Sequence, residues 1–198
     1  MNKIQLRSEL RRRRHSISDT DRKIFARQLV RHVLHSGFLL RYRRIGIYLP
    51  HGTEINTLYL INKMLSLRKQ VYLPMLPYGR GKKLWFNRIA AGLPWVLNRF
   101  GMTENRSRCP VRVRNLDLLF MPLLGYDDIG YRLGTGGGYY DASLNYLSRR
   151  CHWRMPYLVG VSFSCQHLDD RLLPDPWDIP MNAILTERGL HRFRNVRD

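Results

Sequence analysis

Residues 116–124, LDLLFMPLL, constrain the fold more than any other stretch, because Asp117 is their only charged residue. A strand with one face in water alternates apolar and polar residues, and this stretch does not alternate. A near-continuous apolar run of this length is typical of a parallel strand that is covered on both faces. We therefore expect a sheet that lies between two layers of helices.

Strand and helix signals alternate along the rest of the chain. Strands are predicted at 44–50, 70–76, 84–89, 157–163 and 182–187, and helices at 56–68 and 139–150. Residues 90–114 show no clear period and are expected to form a long connection. Alternation of this kind predicts an α/β fold. We expect a single three-layer domain over residues 1–198, with an open, mostly parallel sheet flanked by helices.

Two strongly basic helices are predicted before the first strand. Residues 3–14 suit a helix, and Ser18 with Asp21 resembles a capping box that opens a second one. Residues 1–44 contain eleven Arg and two Lys against three acidic residues, and so carry +10 of the net charge of +19. We expect residues 1–40 to pack on the domain as a basic helical segment. The excess charge favours anionic partners, among them nucleotides, polyglutamylated cofactors, nucleic acid and anionic lipid.

The cysteines and the apolar runs indicate the compartment. Cys109, Cys151 and Cys165 are widely spaced, and any disulfide would leave one of them unpaired. A reducing environment is the simpler interpretation. No apolar run approaches the roughly 18 residues that span a bilayer, and basic residues interrupt the N-terminal region. We therefore expect a cytoplasmic protein without a membrane partner.

The stretch GYRLGTGGGYYD, residues 130–141, concentrates five glycines between a buried strand and a predicted helix. Open α/β sheets bind ligands at this edge. Backbone amides without side chains can approach phosphate oxygens, and Arg132 adds a fixed positive charge. A structural turn between strand and helix fits the glycines equally well. Asp141 could hold Mg²⁺ beside a phosphate, or could simply complement the helix dipole.

Four segments together resemble the 5-formyltetrahydrofolate cyclo-ligase family, also called 5,10-methenyltetrahydrofolate synthetases. They are PLLGYDDIGYRLGTGGGYYD at 122–141, K-x-x-x-R at 3–7, IYLPHGTEINT at 47–57 and PWDIPMNAILT at 176–186. The resemblance is collinear over nearly the whole chain. It implies an enzyme that uses ATP and Mg²⁺ to convert 5-formyltetrahydrofolate, with or without a polyglutamate chain, into 5,10-methenyltetrahydrofolate, with release of ADP and phosphate.

The resemblance also implies roles for individual residues. For ATP these are Lys3, Arg7, Arg132, Leu133, Gly134, Thr135, Gly136, Gly137, Gly138, Tyr139 and Tyr140. For the folate they are Leu49, Glu54 and the stretch Thr135, Gly136, Gly137, Gly138 and Tyr139, and for the metal they are Asp141 and Asp178. No covalent nucleophile is implied. Several of these residues also have ordinary structural interpretations: Leu49 could be plain core, Glu54 a helix N-terminal carboxylate, and either tyrosine a packing residue.

A nucleic-acid-binding module is the alternative function. Arg11–Arg14 and Arg41–Arg44 could contact phosphates, although no helix-turn-helix, RRM, KH or zinc signature accompanies them. The histidines, serines and cysteines show no spacing typical of zinc, serine or cysteine catalysis. We expect nucleic acid to be a less suitable partner than ATP and the folate. The oligomeric state is open, with a monomer favoured.

Overall fold

The computed structural model describes residues 2–77, 79–90, 92, 94–98, 101–105, 109–148 and 155–193. Its strands are β1 (Arg44–Gly46), β2 (Gln70–Met75), β3 (Trp85–Arg88), β4 (Trp95–Leu97), β5 (Thr103–Asn105), β6 (Val111–Arg112), β7 (Leu118–Pro122), β8 (Gly125–Tyr126), β9 (Arg132–Leu133), β10 (Tyr157–Val161), β11 (Ala183–Thr186) and β12 (Gly189–Arg192). Eight strands form one sheet in the order β12-β11-β10-β7-β1-β2-β3-β6. β4 pairs with β5 and β8 pairs with β9 in two small antiparallel sheets.

The central part of the large sheet is parallel. The neighbours β11, β10, β7, β1 and β2 all run in one direction. β12 at one edge, and β3 and β6 at the other, are antiparallel to their neighbours. The expected α/β class and the mostly parallel sheet are therefore confirmed.

Each face of the sheet carries its own hydrophobic core. On β7, Leu118 and Phe120 belong to a core with the helices α2 (Asp19–His35), α3 (Phe38–Arg41) and α4 (Leu58–Ser66), whereas Leu119 and Met121 belong to a core with the region around Leu144. Side chains along a strand alternate between its faces, so a strand buried on both sides must be apolar at every position. This geometry explains the apolar run at 116–124.

The helices are α1 (Lys3–His15), α2 (Asp19–His35), α3 (Phe38–Arg41), α4 (Leu58–Ser66) and α5 (Tyr139–Leu144). Short 3₁₀ turns lie at Val113–Asn115, Asn145–Leu147 and Ser164–Gln166. The helix predicted at 139–150 is shorter than expected, because α5 tightens into a 3₁₀ turn after Leu144, and Arg149 and Arg150 lie outside the described residues. α3 was not predicted, since four residues are too few to show a helical period.

The first predicted strand, 44–50, pairs over only three residues. The N–H of Ile47 still donates to the carbonyl of Tyr72 at 2.9 Å, and the chain then leaves the sheet towards Pro50. Proline has no N–H to donate to a ladder, so it cannot extend the pairing. Leaving the sheet early frees residues 48–54 to form one side of a cleft.

α1 lies on the domain through one face. Its N-cap Asn2 accepts from the N–H groups of Ile4 and Gln5, and the Gln5 side chain accepts from the Asn2 N–H in return. Leu10 is fully buried and packs with Leu124, Leu133 and Leu168, beside the glycine-rich stretch. This contact fixes where the basic side chains of α1 meet the rest of the protein.

The connection at 90–114 is more structured than its sequence predicted. It contains β4, β5 and β6, and β5 packs near β2.

The described residues include no helix long and apolar enough to cross a membrane. Cys109 and Cys165 are exposed, and Cys151 lies outside the described residues.

Candidate functional site

A cavity of about 370 Å³ opens at the carboxyl ends of the central strands. The chain runs from β1 through α4 to β2 on one side, and from β7 through α5 to β10 on the other. Strand order therefore reverses between β1 and β7, and such a point leaves a crevice between the two connections. Leu49, just after β1, and Pro122, at the end of β7, both line the cavity.

The cavity gathers the residues that the family resemblance implicated. Its lining includes Lys3, Arg7, Leu49, Glu54, Asp178 and the whole stretch 132–141. Lys3 and Asp178 are far apart in sequence, and they meet here because α1 packs beside the loop that follows β10. Their roles towards ATP, folate or metal stay predictions.

The four glycines within residues 134–138, called here the glycine loop, fall into two groups. Gly136 and Gly138 have positive φ values of +108° and +68°, which other residues adopt only with strain, and a Cβ at Gly137 would lie 2.9 Å from the Tyr139 ring. Gly134 does not have such a strained positive φ, and a Cβ there would meet no atom within 4 Å. Backbone conformation explains Gly136 and Gly138, and the Tyr139 ring explains Gly137. The protein's own geometry gives no such reason for a glycine at position 134.

Several cationic side chains lie at this loop in the described structure, among them Lys82, whose Nζ would lie 3.9 Å from a Cβ at Gly138. Arg7 Nε donates to the carbonyl of Gly134 at 3.0 Å, and Lys3 Nζ forms an ion pair of 2.7 Å with Asp175. The Arg132 side chain is only 5% exposed, and it donates to Asp141 and, at 3.2 Å, to the carbonyl of Ile179. α5 has only six residues, so these fixed charges matter more for an anion than the helix dipole does.

Asp141 and Asp178 face the same cavity with part of their hydrogen-bonding capacity unused. One oxygen of Asp141 accepts from Arg132, and one oxygen of Asp178 accepts from the N–H of Asp175 at 2.8 Å. The described residues offer no donor to the second oxygen of either carboxylate. They also contain no group of three or more His, Cys, Asp or Glu that could hold a metal alone. This donor set fits Mg²⁺, which commonly takes one or two carboxylates and completes its shell with water and phosphate oxygens.

Glu54 also lines the cavity, from a loop after β1. Its carboxylate accepts from the N–H of His51 at 3.1 Å, and the hydroxyls of Tyr48 and Tyr140 lie close enough to interact with it electrostatically. Burial raises the pKa of Glu54, while the His51 N–H and the charge of Arg14 oppose that rise. Burial likewise raises the pKa of Tyr48 and of Tyr140. The site thus places a carboxylate where hydrogen-bond donors of a ligand would be drawn to it.

Sequence reasoning missed one whole wall of the cavity. Asn98, Met102, Thr103 and Glu104 line it from the β4–β5 pair. Glu104 is 4% exposed and accepts from the N–H of Leu76 and from the Asn98 amide, both at 2.9 Å. The sequence does contain one signal for this wall. Residues 55–103 include no Asp or Glu, so Glu104 stands out as the first acidic residue after them. Asp175 and Trp177 were also missed, although they adjoin the predicted Asp178.

Tyr139 and Tyr140 both line the cavity, and both pack against the core that contains Leu119, Met121 and Leu144. The Tyr139 carbonyl accepts from Ser143 Oγ at 2.6 Å, and Ser143 Oγ accepts from the N–H of Leu84 at 2.8 Å. This chain of hydrogen bonds fixes the start of α5 to the strand region before β3. Packing and cavity lining therefore coexist, and stacking on a ligand ring stays a prediction for either tyrosine.

Several of the arginines proposed for nucleic-acid binding make contacts within the protein, although Arg11, Arg12 and Arg13 stay exposed. Arg12 and Arg13 form ion pairs with Glu9 at 2.8 and 3.1 Å, and Arg44 pairs with Asp117 at 2.9 Å. Arg14 is 9% exposed. These contacts weaken the case for a continuous phosphate-binding patch along residues 11–14 and 41–44.

Comparisons with known proteins identify the family of this chain. The sequence model of the 5-formyltetrahydrofolate cyclo-ligase family matches residues 1–187. A 5-formyltetrahydrofolate cyclo-ligase of Haemophilus influenzae is 31% identical over 183 residues, which cover 91% of this chain and 95% of the relative. The enzyme of that name from Escherichia coli is 29% identical over 180 residues, or 89% and 96% of the two chains.

A solved structure shares the fold as well. The NMR structure of Aquifex aeolicus 5,10-methenyltetrahydrofolate synthetase superposes with a TM-score of 0.81 at 26% identity, covering 100% of this chain and 96% of that one. Sequence, fold and the position of the cavity lead to one conclusion: the chain belongs to the 5-formyltetrahydrofolate cyclo-ligase family.

Proposed function

We propose that this protein is an ATP- and Mg²⁺-dependent cyclo-ligase that converts 5-formyltetrahydrofolate into 5,10-methenyltetrahydrofolate, with release of ADP and phosphate. The observation that carries the proposal is the convergence on one cavity of Lys3, Arg7 and Arg132, the glycine loop, two aspartates and Glu54. Cations and glycine amides suit a triphosphate, and the carboxylate of Glu54 suits a ligand with N–H donors.

The chemistry needs activation of a poor leaving group. The formyl oxygen on N5 attacks the γ-phosphorus of ATP, the bond to ADP breaks, and an imidate phosphate forms. N10 then attacks the formyl carbon and loses its proton, and the C–O bond breaks as phosphate departs. Positioning and charge neutralisation suffice for such a phosphoryl transfer, so no protein nucleophile is required.

The side chains around the cavity divide this work. Arg132, Arg7 and Lys3 neutralise and orient phosphate oxygens, and Glu54 holds the folate in line with them. Asp141 and Asp178 would hold Mg²⁺, which when bound offsets the negative charge on the phosphates. The apolar lining, including Leu49 and Leu84, excludes water from the phosphorylated intermediate.

An activity assay tests the proposal directly. We expect the purified protein, mixed with MgATP and 5-formyltetrahydrofolate, to form a product with the absorbance of the methenyl chromophore and one ADP per turnover. Omitting ATP or adding excess EDTA should abolish product formation. An absence of product under conditions in which the Escherichia coli relative is active would reject the proposed reaction.

Gly134 separates the two interpretations of the glycine loop. We expect Gly134→Ala to melt within about 1 °C of the wild type, because its Cβ meets no protein atom, and to raise the KM for ATP about tenfold, because the methyl group blocks a phosphate oxygen. Gly81→Ala is the matched control, since its added Cβ would make only an ordinary contact of 3.8 Å outside the cavity. An unchanged KM in Gly134→Ala would leave the loop as a structural turn.

A further inference from the structure

Arg14 differs from the other arginines of its run because it points into the protein. Arg11, Arg12 and Arg13 are exposed, whereas Arg14 is only 9% exposed at the end of α1. Spacing explains the difference: Lys3, Arg7, Leu10 and Arg14 follow one another at intervals of four, three and four residues, and therefore share one face of α1. Leu10 seats this face on the domain, and Arg14 is buried with it.

The buried guanidinium contacts the loop that carries Glu54. Arg14 Nε donates to Thr53 Oγ1 at 2.8 Å, and the charge of Arg14 acts on the carboxylate of the next residue, Glu54. The two side chains form no ion pair within 4.0 Å in the described structure. Arg14 therefore holds the Thr53 side chain beside Glu54 and favours the ionised form of Glu54, without itself bonding a carboxylate oxygen.

A second arginine holds the same loop from α2. Arg22 donates to the carbonyl of Thr53 at 2.6 Å, to the carbonyl of Ile17 at 3.1 Å and to the carbonyl of Arg14. Thr53 is thus bound through its side chain by α1 and through its main chain by α2. A surface loop that needed only to connect β1 to α4 would not require two charged donors on one residue.

We propose that Arg14 is a positioning residue for Glu54, which it orients through Thr53 for folate binding. This inference rests on the proposed function. α1 would then serve both substrates: Lys3 and Arg7 at its start face the predicted phosphate site, and Arg14, about 10 Å further along the helix axis, supports the folate site. Burial of a cation is costly, and here it has a use only because Glu54 faces the same region.

Steady-state kinetics of Arg14→Met tests the inference. We expect the KM for 5-formyltetrahydrofolate to rise about tenfold to a hundredfold, as for loss of a charge-assisted hydrogen bond, with the KM for ATP changed less than about threefold. Arg14→Lys should recover part of the loss, because it restores the charge without the planar fork. Arg11→Met, one helical turn away on the exposed face, is the matched control and should behave as the wild type.

The pH dependence distinguishes positioning from a merely structural role. The ionisable groups that act on Glu54 are Arg14 from α1, His51 in its own loop, Tyr48 after β1 and Tyr140 on α5. Folate binding that requires the carboxylate is lost as the pH falls through the pKa of Glu54. Without Arg14 that pKa rises further, so the acid limb of 1/KM for the folate should move to higher pH in Arg14→Met and not in Arg11→Met.

The outcomes separate this inference from the proposed function. If the wild type shows no turnover, the reaction is wrong; if it is active and Arg14→Met matches Arg11→Met, only the inference is overturned. An equal rise of both KM values in Arg14→Met without a shifted acid limb would mean that α1 has loosened, and would also overturn it. Should Arg14→Met not fold, Thr53→Val removes the same hydrogen bond, and we expect a rise in the folate KM that is not additive with that of Arg14→Lys.

Discussion

The Arg132→Ala variant is expected to turn over 5-formyltetrahydrofolate at least about a thousandfold more slowly than the wild-type protein. Among the cavity-lining cations Lys3, Arg7 and Arg132, the charge of Arg132 is the most deeply buried, and Asp141 and the Ile179 carbonyl hold its guanidinium in place. A charge fixed in a sheltered cleft acts on a developing negative charge without reorganisation, so its loss cannot be replaced by solvent.

Two further variants make this prediction specific. Arg132→Lys keeps the charge but cannot contact Asp141 and Ile179 as a planar fork does, so an intermediate rate is expected. Arg44→Ala is the matched control, because Arg44 also forms an Arg–Asp pair, with Asp117, but does not line the cavity. The rates are measured from the absorbance of the methenyl product, and circular dichroism checks the fold. A wild-type rate in a folded Arg132→Ala protein would exclude Arg132 from the reaction.

The Leu10→Ala variant is expected to lower both the free energy of unfolding and the affinity of the site for ATP. Its loss of stability should be the largest among variants that also weaken ligand binding. Leu10 is fully buried against Leu124, Leu133 and Leu168, and truncation of such a side chain costs about 2–5 kcal/mol of the free energy of unfolding. Because this contact seats α1, we also expect weaker binding of ATP through Lys3 and Arg7. Urea denaturation measures the first effect and the KM for ATP the second.

The packing around Leu10 offers an opposite perturbation and a control. A Cβ added at Gly125 would lie 2.6 Å from a methyl group of Leu10, so Gly125→Ala should displace α1 by crowding rather than by a cavity. Leu6→Ala removes a half-buried leucine from the same cluster and should cost less than Leu10→Ala. Equal stabilities of Leu10→Ala and the wild type would show that α1 is not anchored here.

Local patterns were sufficient for most of the elements. The apolar run at 116–124 required a strand covered on both faces, and β7 has that environment because its neighbours β1 and β10 are parallel and helices cover both sides. Strand register and edge strands were not predictable in this way. β3 and β12 run antiparallel because short connections return the chain beside the preceding strand, and the sequence of a strand does not record its direction.

The candidate site was predictable only in part. The family motifs indicated the glycine loop, Glu54 and the two aspartates, and all of them line one cavity. Glu104 and Asn98 belong to a connection without a motif, and they reach the cavity because the β4–β5 pair packs beside β2. Nothing in the local sequence specifies such a contact, since it depends on how separate elements pack.

The sequence by itself determined the alternation of strands and helices, the excess of positive charge and the glycine loop after a buried strand, because each follows from residues close together in the chain. Only the tertiary structure decided which charges are engaged. Lys3 pairs with Asp175 across 172 positions, and Arg14 turns inward to Thr53 while its neighbours stay exposed. The physical reason is that burial and ion pairing depend on three-dimensional proximity, which α1 acquires only when Leu10 docks on the folded domain.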